Sequence, residues 1–180
     1  ATFPMLAANV DTPDGRQPYM ARALVTRAGV RVAVIGATTP GSMIWDRDKL
    51  RGRVEVRDIL PTVRASVSDA RAQGADVVLV VLHSGLDGAS SYDTATTGVA
   101  SENVSARVAR AVPGIDVIVF GHSHRELADT TIAGVLLQQP RNFAGSLSVA
   151  TLTLVRDTGG FRVVAKRGQV IRARGQAEQE

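Results

Sequence analysis

Cysteine is absent from all 180 residues, which excludes disulfides, thiolate metal sites and cysteine nucleophiles. Lysine is almost absent as well: Lys49 and Lys166 stand alone, so the formal charge of +4 rests on arginine. Aromatic residues make up only 4% of the chain. The basic residues are also interrupted by acids, as in Asp46-Arg47-Asp48-Lys49-Leu50-Arg51. A nucleic-acid platform needs clustered positive charge interleaved with stacking rings, so the pattern predicts a solvated basic surface and no nucleic-acid partner. The longest purely aliphatic run, Val77 to Leu82, is far too short to cross a bilayer, and no membrane span is expected. No signal-peptide pattern is expected in the stretch that opens at Ala1. The abrupt start on Ala1-Thr2-Phe3-Pro4-Met5-Leu6 suggests a fragment or a processed chain.

What is present suits one α/β domain over 1–180, ending in a polar tail at 173–180 that is expected to fray. Met5 to Val10 reads as a short strand, followed by the turn formers Asp11-Thr12-Pro13-Asp14-Gly15. Tyr19 to Thr26 and Val30 to Thr38 read as strands joined at Ala28-Gly29, a hairpin signal. Asn9 is expected to be a satisfied turn residue with no functional role. Trp45 to Val56 is charged and irregular, predicting a loop with a short strand. A helix follows, capped by Asp58, with Pro61 in its first turn and Leu60, Val63, Val67 and Ala70 on the core face. Gln73-Gly74 ends it.

Asp76 to Leu82 is apolar on both faces, as expected of a central strand covered on each side, and it runs into His83-Ser84-Gly85. After the polar loop Asp87 to Gly98, Ser101-Glu102 is expected to open a second helix, with Val104, Val108 and Val112 inward. Pro113-Gly114 stops that helix, and the short buried-strand pattern Val117-Ile-Val-Phe120 enters Gly121-His-Ser-His124. Val135 to Gln138, Leu147 to Val155 and Phe161 to Ile171 read as strands. Thr158-Gly159-Gly160 is expected to make the last two a hairpin.

The only histidines are His83, His122 and His124, and each lies where a strand gives way to a glycine-containing turn. Parallel α/β sheets place their ligands at such carboxyl ends. An i, i+2 pair on an extended segment points to opposite sides, so His122 and His124 are expected to face two metals, or a metal and a substrate. Neutral imidazole suits zinc, iron or manganese, and one shared metal site accounts for all three residues. Three imidazoles alone make a poor dinuclear centre, because two neighbouring dications need an anionic ligand between them. By sequence proximity the nearest carboxylates are Asp87 and Glu126, either of which suits a mononuclear three-histidine hydrolase. Arg125 and Arg141 are positions from which a guanidinium can hold a phosphate, or simply surface arginines.

Several segments together resemble one family. Val81-Leu-His-Ser-Gly85, Glu102-Asn103 and Gly114-Ile-Asp-Val-Ile-Val-Phe-Gly-His-Ser-His124 are similar to the second half of a calcineurin-like metallophosphoesterase. More narrowly they resemble the 5'-nucleotidase and 2',3'-cyclic-nucleotide 2'-phosphodiesterase family. Ala7-Ala-Asn-Val10, Val30 to Gly36, Thr38-Thr-Pro40 and Gly145 to Leu154 match the same order.

The resemblance implies part of a four-layer α/β/β/α sandwich with two divalent metals such as zinc, manganese or iron. It places His83 and His122 on one metal and His124 on the other. The implied activity is hydrolysis of nucleotide phosphoesters by metal-activated water. The family's amino-terminal Asp-x-His and Gly-Asn-His motifs and its bridging aspartate do not occur here, nor does its carboxyl-terminal nucleotide-binding domain. The chain is therefore expected to be the carboxyl-terminal part of a catalytic domain, hydrolysing little by itself. Its expected partners are the missing amino-terminal half and a nucleotide substrate, in a periplasmic, secreted or cell-surface setting. A non-catalytic binding remnant of the fold remains the alternative from a different class.

Overall fold

Runs of valine and isoleucine alternating with helical segments build one mixed sheet, seen in a computed structural model that describes residues 3–173. In chain order the elements begin with β1 (Val10–Asp11), β2 (Arg22–Arg27), β3 (Val30–Thr38), α1 (Ser42–Trp45), α2 (Arg47–Leu50), β4 (Glu55–Val56) and α3 (Ile59–Ala72). They continue with β5 (Val77–His83), α4 (Thr94–Thr97), α5 (Ser105–Ala111), β6 (Val117–Phe120), β7 (Leu127–Ile132), β8 (Val135–Gln139), β9 (Ser146–Asp157) and β10 (Gly160–Arg172). Six strands pair in the order β2-β3-β5-β6-β8-β7. The inner four, β3, β5, β6 and β8, run parallel, and β2 and β7 close the edges antiparallel.

Residue alternation divides this sheet into two faces. Ala33 and Ile35 of β3, Val78, Val80 and Leu82 of β5, and Ile118 and Phe120 of β6 are buried on one side. They share a core with Ile59, Val63, Val67 and Ala70 of α3 and with Val108 and Ala109 of α5. The β9–β10 hairpin lies against the other side. Gln138 pins it there, its Nε2 donating to the carbonyls of Ala128, Val149 and Gln169 at 2.7, 3.1 and 3.3 Å. The layers present are helix, sheet and hairpin ribbon, in agreement with the α/β class.

α3 begins where expected, with the Asp58 carboxylate accepting from Leu60 N–H at 3.1 Å. Its buried stripe includes Ile59, while Leu60 is only half-buried. The β2–β3 hairpin turns on Ala28 and Gly29, both at positive φ. Asn9 is fully buried and structural: its amide donates to the carbonyls of Thr38 and Arg57, and its oxygen accepts from Thr38 N–H.

Other elements depart from the sequence reading. In place of one strand over Met5 to Val10 there is an isolated bridge, Leu6 to Met20, with Val10 opening the short β1; between them Ala8 N–H donates to Gly36 O at 2.7 Å. The segment 45–56 holds the end of α1 and the short helical turn α2 as well as β4. The helix expected at Ser101 starts only at Ser105, since Glu102 is held in the preceding loop by both its side chain and its carbonyl. β7 is an additional edge strand. β5 is covered unequally, because the ribbon shields Val77 but leaves Val81 41% exposed. Of the polar tail, only Ala173 is among the described residues, and the fraying expected of the remainder lies outside them.

The starts of β5 and β6 and the end of α3 are tied together by one ion pair. The Asp116 carboxylate, in the turn before β6, accepts from Val78 N–H at 2.9 Å and from Arg71 Nη2 at 2.7 Å. Arg71 also donates to the carbonyls of Ala75, Asp76 and Gly114. Asp116→Ala leaves a buried N–H and a guanidinium without their partner, and is expected to lower stability by about 2–3 kcal/mol in urea unfolding. Asp116→Asn keeps one acceptor oxygen, and a smaller loss is expected.

Candidate metal centre at the strand ends

β5 and β6 are parallel neighbours, paired from Leu79 with Val117 to Leu82 with Phe120. The ladder continues one step further, Gly121 N–H donating to Leu82 O at 3.0 Å. His83, the last residue of β5, and His122, just past β6, therefore lie side by side. Their ring centroids are 5.2 Å apart, edge to face. Beyond Gly121 the backbone is not extended, because His122 and His124 both take left-handed conformations (φ 76° and 54°). The extended geometry expected of the pair is thus replaced by a tight turn. The His122 ring lies against His83 and stacks on Trp45 at 5.4 Å. The His124 ring meets Phe143 at 5.7 Å. Such backbone costs roughly 1–3 kcal/mol per residue where the side chain is not glycine. The turn is braced by Ser123, whose Oγ donates to Gln139 Oε1 at 2.8 Å.

Each flank of this rim is held by specific contacts. Gly41 permits Trp45 and Tyr92 to close on each other, since a Cβ there would overlap both rings. On the other side Ser84 is fully buried. Its Oγ donates to Glu102 O at 2.7 Å and accepts from Val104 N–H at 3.0 Å. Gly85 is required at this crossing, because a Cβ would collide with the Asn103 side chain. These bonds carry Glu102 to the site. Its carboxylate, 4% exposed with the rest of the residue, lies 3.6 Å from His122 Nε2.

The sequence reading missed Glu102 as the carboxylate of the site. Asp87 is paired with Arg110 at 3.4 Å and Glu126 with Arg172 at 3.3 Å, so surface arginines occupy the two acids chosen by proximity. Arg125 is exposed beside the turn. Arg141 is also exposed, and it lines a cavity of about 560 Å³ with Phe143 and Arg172. Phe143 connects that cavity to His124.

His83 is open to solvent on one side. Packing on its other side, and then the nearby charges of His122 and His124, hold its imidazole below the ordinary range. A neutral imidazole is the form that donates its lone pair to a cation. The donor chemistry therefore suits a borderline divalent metal. Among the described residues no three histidine or acidic side chains converge on a common point as a closed cation site. An apolar cavity of about 600 Å³, lined by Met5, Tyr19, Val81 and Val119, opens directly against His83.

No protein-family model matches the chain. It is 30% identical over 192 residues to the 2',3'-cyclic-nucleotide 2'-phosphodiesterase/3'-nucleotidase of Salmonella typhimurium, covering 94% of this chain and 29% of that protein. It is 33% identical to the protein of the same name from Yersinia enterocolitica, covering 94% of this chain and 28% of the relative. Among solved structures, the calcineurin-like phosphoesterase YfkN from Bacillus subtilis superposes with a TM-score of 0.87 at 27% identity. That match covers 99% of this chain and 58% of the other. The 5'-nucleotidase precursor from Thermus thermophilus shares the fold, with a TM-score of 0.70 at 24% identity over 96% of this chain and 34% of the other. The chain spans less than a third of the length of these sequence relatives and aligns over nearly all of itself. Sequence and fold agree, and the chain belongs with the calcineurin-like phosphoesterases, alongside their nucleotide-phosphodiesterase and nucleotidase members.

Proposed function

We propose that this chain forms the carboxyl-terminal part of a phosphoesterase catalytic domain and supplies one side of a dinuclear metal centre that hydrolyses nucleotide phosphoesters. The observation that carries this reading is the convergence of His83 and His122 at the ends of adjacent parallel strands, with His124 carried by the same left-handed turn. His83 and His122 are assigned to one metal and His124 to the other. Metals held by these residues would supply Lewis-acid stabilisation of charge on a phosphoryl group and a more acidic bound water. Arg125 and Arg141 are assigned to holding phosphate oxygens, with Arg141 positioned by the cavity beside Phe143.

The anionic ligands come from elsewhere in the polypeptide. Their natural point of arrival is the apolar opening against His83, where Val81 and Val119 await a covering layer. Among the described residues no helix is long and apolar enough to cross a membrane. A periplasmic, secreted or cell-surface setting is part of this proposal, resting on the resemblance to the nucleotide phosphodiesterase and nucleotidase family.

In the protein carrying its amino-terminal segment, His83→Ala, His122→Ala and His124→Ala are each expected to lower bound metal in elemental analysis. They should also reduce turnover of bis-p-nitrophenyl phosphate by roughly 100-fold or more, the scale of losing several kcal/mol of charge stabilisation. Unchanged metal content and turnover in all three variants would refute the assignment, whereas no metal and no turnover in the unaltered protein would leave a binding remnant of the fold. Arg141→Ala should raise KM for a nucleotide monoester with a smaller effect on kcat, as expected of a residue that binds ground and transition states alike.

The depressed His83 gives a signed pH dependence. As pH falls, the unfolded chain takes up this proton before the folded protein does, so the contribution of His83 is complete above about pH 6.5 and is lost as pH falls towards the folded value. Urea midpoints of the metal-free protein measured across this range should decline with acidification, and the decline should be shallower in His83→Asn.

A further inference from the structure

Glu102 is a buried carboxylate whose recorded partners are all donors. Oε1 accepts from Ser91 N–H at 2.6 Å, Oε2 accepts from Ser91 Oγ at 3.1 Å, and Asn103 Nδ2 approaches Oε1 at 3.5 Å. One further nitrogen faces Oε2, His122 Nε2 at 3.6 Å. At that separation the two groups face each other without a formed hydrogen bond. One lies within reach of a small adjustment of the ring.

The stack on Trp45 fixes the plane of the His122 ring, with 24° between the two planes. A stack does not fix which edge of the ring points where, since turning an imidazole over in its own plane preserves the contact. Nor does it decide which nitrogen carries the proton. A neutral imidazole has one N–H and one lone pair, and an acceptor-only group facing one nitrogen decides between them.

We propose that Glu102 is the positioning residue of the histidine rim: its carboxylate takes the Nε2–H of His122, fixes that tautomer, and leaves the lone pair on Nδ1 free. Ionised carboxylates act on ring nitrogens in this way behind many metal-bound histidines, fixing both orientation and basicity. The tautomer does not depend on metal, whereas its use as ligand preparation rests on the dinuclear reading above. The Ser84 bonds to Glu102 and Val104 link this carboxylate to the turn that carries His83.

The test is the ring-nitrogen spectrum of His122, from long-range proton–nitrogen correlation on the metal-free protein with its amino-terminal segment. The unaltered protein should show the Nε2–H tautomer. In Glu102→Gln the single amide oxygen is claimed by Ser91 N–H and the NH2 group faces the ring. The tautomer should then invert to Nδ1–H while the amide spectrum stays folded. Manganese affinity measured by calorimetry should fall by about 10- to 100-fold. Ser91→Ala loosens the same loop but keeps the carboxylate, and it should lower Tm with the tautomer intact.

An Nδ1–H tautomer in the unaltered protein, or an unchanged tautomer in Glu102→Gln, would overturn the assignment. So would a shift in Ser91→Ala as large as that in Glu102→Gln, which would reduce Glu102 to a loop brace. Failure of the unaltered protein to bind manganese, with the tautomer as stated, would instead refute the dinuclear reading and leave the role of Glu102 standing.

Discussion

Everything at the rim depends on the parallel register between β5 and β6. With Leu82 opposite Phe120 and Gly121 N–H bonded to Leu82 O, two residues 39 positions apart in the numbering, His83 and His122, become neighbours. A one-residue slip of β5 would turn Val78, Val80 and Leu82 away from the helices while Ile118 and Phe120 of β6 stayed inward, so burial of these side chains enforces the alignment. Asp116 reinforces it at the far end by holding Val78 N–H. The position of the imidazoles thus follows from apolar packing and one carboxylate at the opposite end of the strands.

The histidine turn is where local preference gives way to that alignment. Left-handed backbone at His122 and at His124 is unfavourable for residues with a Cβ. It persists because Gly121 is tied to β5, Ser123 to Gln139, and His122 to the face of Trp45. Strain held by its surroundings in this manner is typical of ligand-handling segments.

Much of this was legible in the residues. The valine runs marked β3, β5 and β6, the spacing of Val63, Val67 and Ala70 marked α3, and Ala28-Gly29 and Thr158-Gly159 marked hairpins. All three histidines could be placed at strand ends because each lies where an apolar run gives way to a glycine-containing turn. Glu102 escaped because Ser101-Glu102 ahead of a valine pattern reads as a helix start, and only tertiary bonds from Ser84 and Ser91 hold it in a loop. β7 escaped because Leu127–Ile132 is a half-exposed edge whose polar residues show no alternation. The open end of β5 was hidden for a related reason. A run such as Val77 to Leu82 reports that both faces are apolar, but not which part of the molecule covers them.

The β9–β10 ribbon extends the same point to its own borders. Each of its strands pairs only with the other among the described residues, so two long rows of peptide groups lack a neighbour, beside the exposed Leu147, Val164 and Ile171. A flat border of that kind ordinarily recruits other copies of itself. Here the ladder shifts between Val163 and Ala165, and the exposed Arg162 and Arg167 stand on β10. Two identical ribbons brought together would set cation against cation, whereas an uncharged or acidic strand meets no such opposition. The arrangement discourages fibre-like stacking while leaving the border available to unlike sequence.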